Sequence, residues 1–477
     1  MEILIEACFI KDSFQERVII MEIPVKLGQE IELTINGYGH EGEGVSRHQQ
    51  FTIFVSEALK DETVLAKVVE IKRNFARAEI LSITKPAPDR VTPHCNVSKN
   101  CGGCQFQHLD YRAQLITKQQ RVSDAMERIG GLHGVTVHST MGMKEPWRYR
   151  NKVQCPVGMA GGAVVIGFYR KGTHQIVPMS DCMLQPVITN KISRRVRDLV
   201  EKYRVSIYNE RTGGGMLRHV LIKYGFATNE AMIVLVTNGD NFPDGSKIAR
   251  DLIGAFPEIK SVVQNINRSR DNVILGNVNR VLWGKDSITE KIGSLQFKIS
   301  ANSFFQVNPV QLQVLYSKTV EYAALSWKEL VLDAYCGVGS LTLFLAKKAK
   351  QVYGIESVAE AIFNARENAK LNGVENVEFL TGTVEKVLPN LLKRKLILDV
   401  AVLDPPRSGC EEVVLKTLAE SKVKRIVYVS CNPGTLARDL KILDDLGYKT
   451  YEIQPVDMFP HTYHVECVVR VERKHSS

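Results

Sequence analysis

Three stretches of the 477-residue sequence combine residue types suited to covalent and proton-transfer chemistry. Ser430-Cys431-Asn432-Pro433-Gly434-Thr435 follows the apolar run 426–429. A cysteine at a strand end followed by Asn-Pro, rather than inside an apolar strand, is a candidate nucleophile. Asp404-Pro405-Pro406-Arg407-Ser408-Gly409 follows the apolar run 400–403 in the same way. Glu466 sits in the otherwise apolar strand around Val465-Glu466-Cys467-Val468-Val469. Burial there would raise its pKa and suit it to moving a proton. Taken singly, Cys431 reads more often as structural and Glu466 as a glutamate on a solvated face. The coincidence of these motifs at strand ends is what favours chemistry.

A second group of thiols has metal-ligand spacing. Cys95, Cys101 and Cys104 form C-x5-C-x2-C around Cys101-Gly102-Gly103-Cys104, and the best fourth ligand is Cys182 in Ser180-Asp181-Cys182-Met183. Two intervening glycines let the backbone turn tightly about one centre. Four thiolates suit either a [4Fe–4S] cluster or structural zinc, and spacing alone does not separate them. Coincidental clustering of buried cysteines is the weaker reading beside C-G-G-C.

The elements that must position these groups follow from the hydrophobic pattern. From about residue 330, strand-like runs at 330–334, 351–355, 377–380, 399–403 and 425–429 alternate with helical segments, which predicts a parallel, doubly wound α/β sheet. Its first strand enters Asp333-Ala334-Tyr335-Cys336-Gly337-Val338-Gly339, a glycine turn that lets a ligand approach the backbone. The second strand ends in Gly354-Ile355-Glu356, where a carboxylate can accept ribose hydroxyls; nicotinamide and S-adenosylmethionine sites share that feature. The turn lacks the third glycine of the dinucleotide fingerprint. Residues 18–84 read as a small β-barrel, with Ile31, Leu33 and Ile35 alternating, a glycine-marked loop at 37–44, and strands at 51–55, 63–71 and 76–83. Its stretch Lys72-Arg73-Asn74-Phe75-Ala76-Arg77 fits single-stranded RNA and a purely structural barrel about equally. Pro86, Pro88 and Pro93 mark a linker. Residues 111–129 read as an amphipathic helix stopped by Gly130-Gly131. The resulting domains are 18–84, a central α+β segment 91–290, and 291–477.

Composition narrows the partners. With 44% apolar and 24% charged residues the chain is neither disordered nor collagen-like. No apolar run of about 18 residues appears, and acidic Glu2, Glu6 and Asp12 disfavour a secretory leader, so no membrane association is expected. Ten cysteines in such a chain point to the reducing cytosol and a cytoplasmic location. The net charge of +10 is uneven: −4 over residues 1–90, +11 over 91–290 and +3 over 291–477. A surplus confined to the middle favours nucleic-acid contact there rather than on the acidic barrel.

Together, these stretches resemble the bacterial RNA uracil-carbon-5 methyltransferases, in the 23S ribosomal RNA branch with an N-terminal TRAM domain. The resemblance runs in order through C-G-G-C-Q, Asp181-Cys182, Ser303-Phe304-Phe305-Gln306-Val307-Asn308, D-A-Y-C-G-V-G, D-P-P-R, S-C-N-P and H-V-E, nearly the whole chain. Relatives often have leucine at the place of Ala334. The resemblance implies a Rossmann-like methyltransferase domain and a [4Fe–4S] cluster on Cys95, Cys101, Cys104 and Cys182. It implies S-adenosylmethionine contacts from Gln306, Tyr335, Glu356 and Asp404, with Cys431 as nucleophile and Glu466 as proton-abstracting base.

The chemistry explains the need for both groups. Carbon 5 of uracil is a poor nucleophile. Addition of a thiolate to carbon 6 makes an enolate that attacks a methyl sulfonium, after which a base removes the carbon-5 proton. Asp404 or Gln306 could hydrogen-bond the intermediate, and the base must be flipped or unpaired. The implied cluster serves structure or RNA contact, because no step transfers an electron.

Rival readings are a radical S-adenosylmethionine enzyme, which needs C-x3-C-x2-C, and a cytosine-carbon-5 methyltransferase. A non-catalytic RNA-binding or RNA-folding protein is a third. Transfer RNA is the alternative substrate; that branch tends to be shorter and to lack barrel and cluster. A monomer without an obligate protein partner is expected.

Overall fold

The computed structural model describes residues 23–394 and 396–474; Cys8, the residues 1–17 read as disfavouring a secretory leader, and residues 18–22 of the expected barrel lie outside them. Two compact units are present: residues up to Pro93 with Gln105–Asp110, and His94–Cys104 with the chain from Tyr111 onward.

The first unit is a six-stranded sheet in the order Glu30–Thr34, Thr63–Ile71, Phe75–Lys85, Phe51–Ser56, Gly44–His48, Gly37–Tyr38. Period-two alternation buries Leu33, Ile53, Val55, Val64, Ala66 and Val68 on one face. Past Thr34 the chain bonds to opposite ends of the sheet, Ile35 N to Glu62 O and Asn36 N to Val45 O, so the sheet curls toward a barrel. The expected 37–44 loop is instead partly a hairpin. Gly44 is required there, because a Cβ would stand 2.8 Å from that of Ala58.

The second unit holds two large sheets. Seven strands run in the order Ile176–Pro178, Ala163–Tyr169, Lys152–Ala160, Leu217–Gly225, Glu230–Thr237, Ile259–Ile266, Val278–Gly284. Helices Val187–Lys202 and Gly245–Ala255 contribute Val196, Leu199, Ile248 and Leu252 to its core. The other sheet has eight strands: Val377–Thr381, Gln351–Glu356, Leu330–Ala334, Val400–Leu403, Arg425–Ser430, Glu466–Arg473, Tyr448–Val456 and Thr136–Val137. The first five are parallel, as the strand–helix alternation predicts. The strand Glu466–Arg473 is inserted antiparallel beside Arg425–Ser430.

The middle segment also contributes to this second sheet. Helix Tyr111–Arg128 buries Val122 and Met126 in its core, and Thr136–Val137 extends its edge. Each such buried side chain contributes about 1.5–3 kcal/mol. The helix ends at Gly130, where a Cβ would lie 2.8 Å from Met126 O, followed by left-handed Gly131. Among the described residues no helix is long and apolar enough to cross a membrane.

Candidate active site

The eight-stranded sheet delivers its chemistry at the carboxyl ends of its parallel strands. After Leu330–Ala334 the chain turns through Tyr335, Gly337 and Gly339, all at positive φ (66°, 55° and 79°). Gly339 suits the turn because a side chain would be strained at this φ and crowded, with a Cβ 3.0 Å from Ala365 Cβ and Phe379 Cζ. Asp333 is buried beneath the turn, accepts from Thr342 Oγ1 at 2.5 Å, and is pushed up to about 7 by burial. Glu356 is fixed by three donors. Val358 N–H and Ser357 Oγ reach Oε1 at 2.8 and 2.9 Å, and Gly337 N–H reaches Oε2 at 3.3 Å. The carboxylate thereby ties the second strand end to the glycine turn.

Two further strand ends are clamped together. Pro433 opens helix Pro433–Asp445, and Asn432 caps it, accepting from Gly434 N–H at 3.1 Å. The Asn432 Nδ2 and Thr435 Oγ1 groups donate to Arg407 O at 3.1 and 3.2 Å, and Arg438 donates to Ser408 O at 2.8 Å. The Asp404–Gly409 stretch is thus held against the Cys431 turn. The antiparallel register pairs Ser430 with Cys467, the chain neighbours of Cys431 and Glu466, and the Glu466 carboxyl acts electrostatically on the Cys431 thiol.

Burial dominates the electrostatics. It pushes the Cys431 thiol up to about 11, with Glu466 and Asp404 adding to the rise and Arg407 opposing it. Burial, then Asp404, holds the Glu466 carboxyl well above the usual range, again against Arg407. Asp404 is raised to about 7 by burial. Two neighbouring carboxyls and a thiol therefore resist ionisation together, an arrangement characteristic of proton-transfer sites.

Gln306 arrives from the other side, on the loop before helix Pro309–Ala323. Asn308 caps this helix as Asn432 caps its own, and Asn151 Nδ2 donates to Gln306 O at 3.1 Å. Gln306, Tyr335, Glu356, Asp404, Cys431 and Glu466 all line one cavity of about 830 Å³. Sequence reasoning missed several of its other elements. Arg150 and Lys152 line it, and Tyr316 Oη lies 2.6 Å from Ser340 Oγ. Lys223, buried and pushed down to about 7 by burial, donates to Ser300 O and Ser303 O, both at 2.7 Å, shaping the approach to Gln306. The available signal was a lysine inside the apolar strand Leu217–Gly225.

The four cysteines of the C-x5-C-x2-C pattern and Asp181-Cys182 are also drawn together. Cys95 acts electrostatically on Cys101, both act on Cys182, and Cys104 and Cys182 both act on Tyr149. Gly102 lets the loop pack on a hairpin: a Cβ would lie 3.1 Å from Tyr169 O. Among the described residues, however, no three His, Cys, Asp or Glu side chains are grouped to hold a single metal ion.

Comparison with known proteins agrees with this geometry. Residues 216–474 match the family model of tRNA (uracil-5-)-methyltransferase, and residues 24–81 match the TRAM domain. An uncharacterized RNA methyltransferase of Bacillus cereus (strain ATCC 10987) is 48% identical over 95% of this chain and 98% of its own. One from Clostridium tetani is 46% identical over 94% and 97%. The crystal structure of Pyrococcus abyssi tRNA (uracil-54, C5)-methyltransferase in complex with S-adenosyl-L-homocysteine superposes with a TM-score of 0.76. It is 30% identical and covers 92% of this chain and 100% of its own. A transfer-RNA enzyme thus aligns with most of this chain. By these matches the chain belongs to the RNA uracil-5-methyltransferase family and carries a TRAM domain.

Proposed function

We propose that this enzyme transfers a methyl group from S-adenosylmethionine to carbon 5 of a uridine in 23S ribosomal RNA. The observation that carries the reading is the convergence of Cys431, Glu466 and four candidate donor-binding residues on one cavity. The Pyrococcus abyssi relative, bound to S-adenosyl-L-homocysteine, supports the choice of methyl donor.

Gln306, Tyr335, Glu356 and Asp404 hold the donor, with the fixed Glu356 carboxylate accepting its ribose hydroxyls. Cys431 loses its proton to solvent water and its thiolate adds to carbon 6 of the flipped uracil, moving the electron pair onto the carbonyl oxygen as an enolate. Carbon 5 then takes the methyl group from the sulfonium sulfur, which keeps the bonding pair of the broken bond and leaves as the thioether S-adenosylhomocysteine. Asp404, raised toward neutrality, donates a hydrogen bond to the enolate oxygen. Glu466, whose carboxylate is disfavoured by burial, is a strong base once ionised and takes the carbon-5 proton. The carbon 5–carbon 6 double bond re-forms, the carbon–sulfur bond breaks, and the Cys431 thiolate leaves. Arg407 is the charge that offsets burial at both groups.

Cys95, Cys101, Cys104 and Cys182 would hold a [4Fe–4S] cluster in this reading, which is supported by the electrostatic reach of Cys95 and Cys101 to Cys182. It would brace the fold around the RNA-facing middle segment and supply no electron. The enzyme works in the cytoplasm, as a monomer.

Transfer RNA is the second reading, favoured by the Pyrococcus abyssi match. Mapping 5-methyluridine in both RNAs from a deletion strain decides: loss from 23S RNA is expected, and loss confined to transfer RNA would select the second. Glu466→Gln should accumulate methylated RNA covalently bound through Cys431, slowing turnover about 10²–10⁴-fold; unchanged turnover would refute the assigned base.

A further inference from the structure

Residues 147–151 alternate in what they hold. Trp147 stacks on the His461 ring with centroids 3.6 Å apart and planes 18° from parallel. Tyr149 Oη donates to Pro460 O at 3.1 Å. Both therefore face the segment 459–464, whose Phe459 and His464 line the cavity just before Glu466. The intervening Arg148 faces the other way. Its guanidinium forks onto Asp181 at 2.7 and 2.8 Å and donates to Cys182 O at 2.8 Å. The backbone N–H groups of Arg148 and Arg150 donate to Met183 O and Leu184 O, each at 2.8 Å. Asn151 then takes the far wall, through its N–H to Val307 O at 2.8 Å and its Nδ2 to Gln306 O.

The wall it supports does not hold its shape alone. His461 has a φ of 66°, an unfavourable backbone for a residue with a side chain. Its conformation is kept by Trp147 and by Gln114, whose Oε1 accepts the His461 N–H at 2.9 Å. The His94 ring also packs edge-on against Trp147 at 5.5 Å, one residue before Cys95.

We infer that residues 147–151 couple the Cys182 loop to the methyl-transfer cavity, with Trp147, Arg148 and Asn151 as positioning residues. Order in the Cys182 loop is read by Arg148. It is passed by Trp147 and Tyr149 to the wall before Glu466, and by Asn151 to Gln306. The coupling itself does not depend on what the four cysteines bind.

Amide hydrogen exchange of the full-length protein tests this in Arg148→Lys and Asp181→Asn, conservative changes that break the fork. Exchange in peptides spanning 459–464 and 304–308 should quicken roughly tenfold, with Leu330–Ala334 unchanged. Quickening confined to residues 180–186 would overturn the inference. A kinetic split, which rests on the methyl-transfer reading, is also expected: Trp147→Leu lowers kcat with KM for the methyl donor unchanged, whereas Asn151→Ala raises that KM. Equal effects of the two variants on both constants would overturn it. Failure of the assigned chemistry would show differently, as exchange coupling intact in a protein without methyl transfer.

Discussion

Cys431 sits in a cavity that keeps it protonated, and its alkylation should reveal this. Burial, Glu466 and Asp404 push the thiol up to about 11. Against an ordinary thiol near 9, that leaves roughly a hundredfold less thiolate at any pH below both values. Only the thiolate reacts, and a thiolate of higher pKa is the better nucleophile, so iodoacetamide should modify Cys431 roughly tenfold more slowly than an ordinary thiol at pH 8. The rate should keep rising with pH well beyond the usual thiol range. Mass spectrometry of the Cys431 peptide isolates it from the other cysteines, and Cys431→Ser supplies the blank. Two variants fix the sign. Arg407→Gln removes the charge that opposes the rise and should slow alkylation further. Asp404→Asn removes a charge that contributes to it and should speed alkylation at high pH. A rate levelling near pH 9, or the same rate in both variants, would refute this account of the cavity.

Two stability predictions test the supports of the site. Lys118 and Asp457 form a fully buried ion pair, Nζ to Oδ1 at 2.5 Å, with Tyr111 Oη donating to the other Asp457 oxygen at 3.0 Å. Lys118→Met should cost about 3–5 kcal/mol by stranding the carboxylate, and adding Asp457→Asn should recover part of it in urea denaturation. Full stability of the single variant would contradict the pairing. Gly339→Ala forces a Cβ to 3.0 Å from two neighbours at a φ of 79° and should cost about 1–3 kcal/mol. Its calorimetric affinity for S-adenosyl-L-homocysteine should fall with it; unchanged melting and binding would show that the turn relaxes.

The catalytic sheet was legible wherever chemistry coincided with strand ends. Five parallel strands, the glycine turn, Glu356, Asp404 and Cys431 follow from apolar runs and the residues that terminate them. Glu466 was different: its place near Cys431 depends on an antiparallel insertion, and a hydrophobic run carries no information about its pairing direction. The periodicity of residues 111–129 announces an amphipathic helix but not that its apolar face belongs to a sheet formed some 200 residues later. Charge was read least well. Arg77 of the basic barrel stretch is spent on buried Glu43 at 3.0 Å and lies over Phe54 and Phe75. Arg218 of the basic middle segment is consumed by Asn267 O and Ser269 O. Counting charges does not distinguish internal ligands from a surface for RNA.

The edge strand Thr136–Val137 carries a cost for the cell that makes this chain. Its partner, Tyr448–Val456, is synthesised more than 300 residues later. At about 5–20 residues per second, ribosomes leave the 111–137 segment waiting for some tens of seconds. During that time the apolar face of Val122 and Met126 has no sheet to cover it, and the catalytic unit closes only when the last strands leave the exit tunnel. The catalytic sheet therefore completes only after Tyr448–Val456 has emerged from the ribosome, and its yield should depend on chaperones that shield that helix.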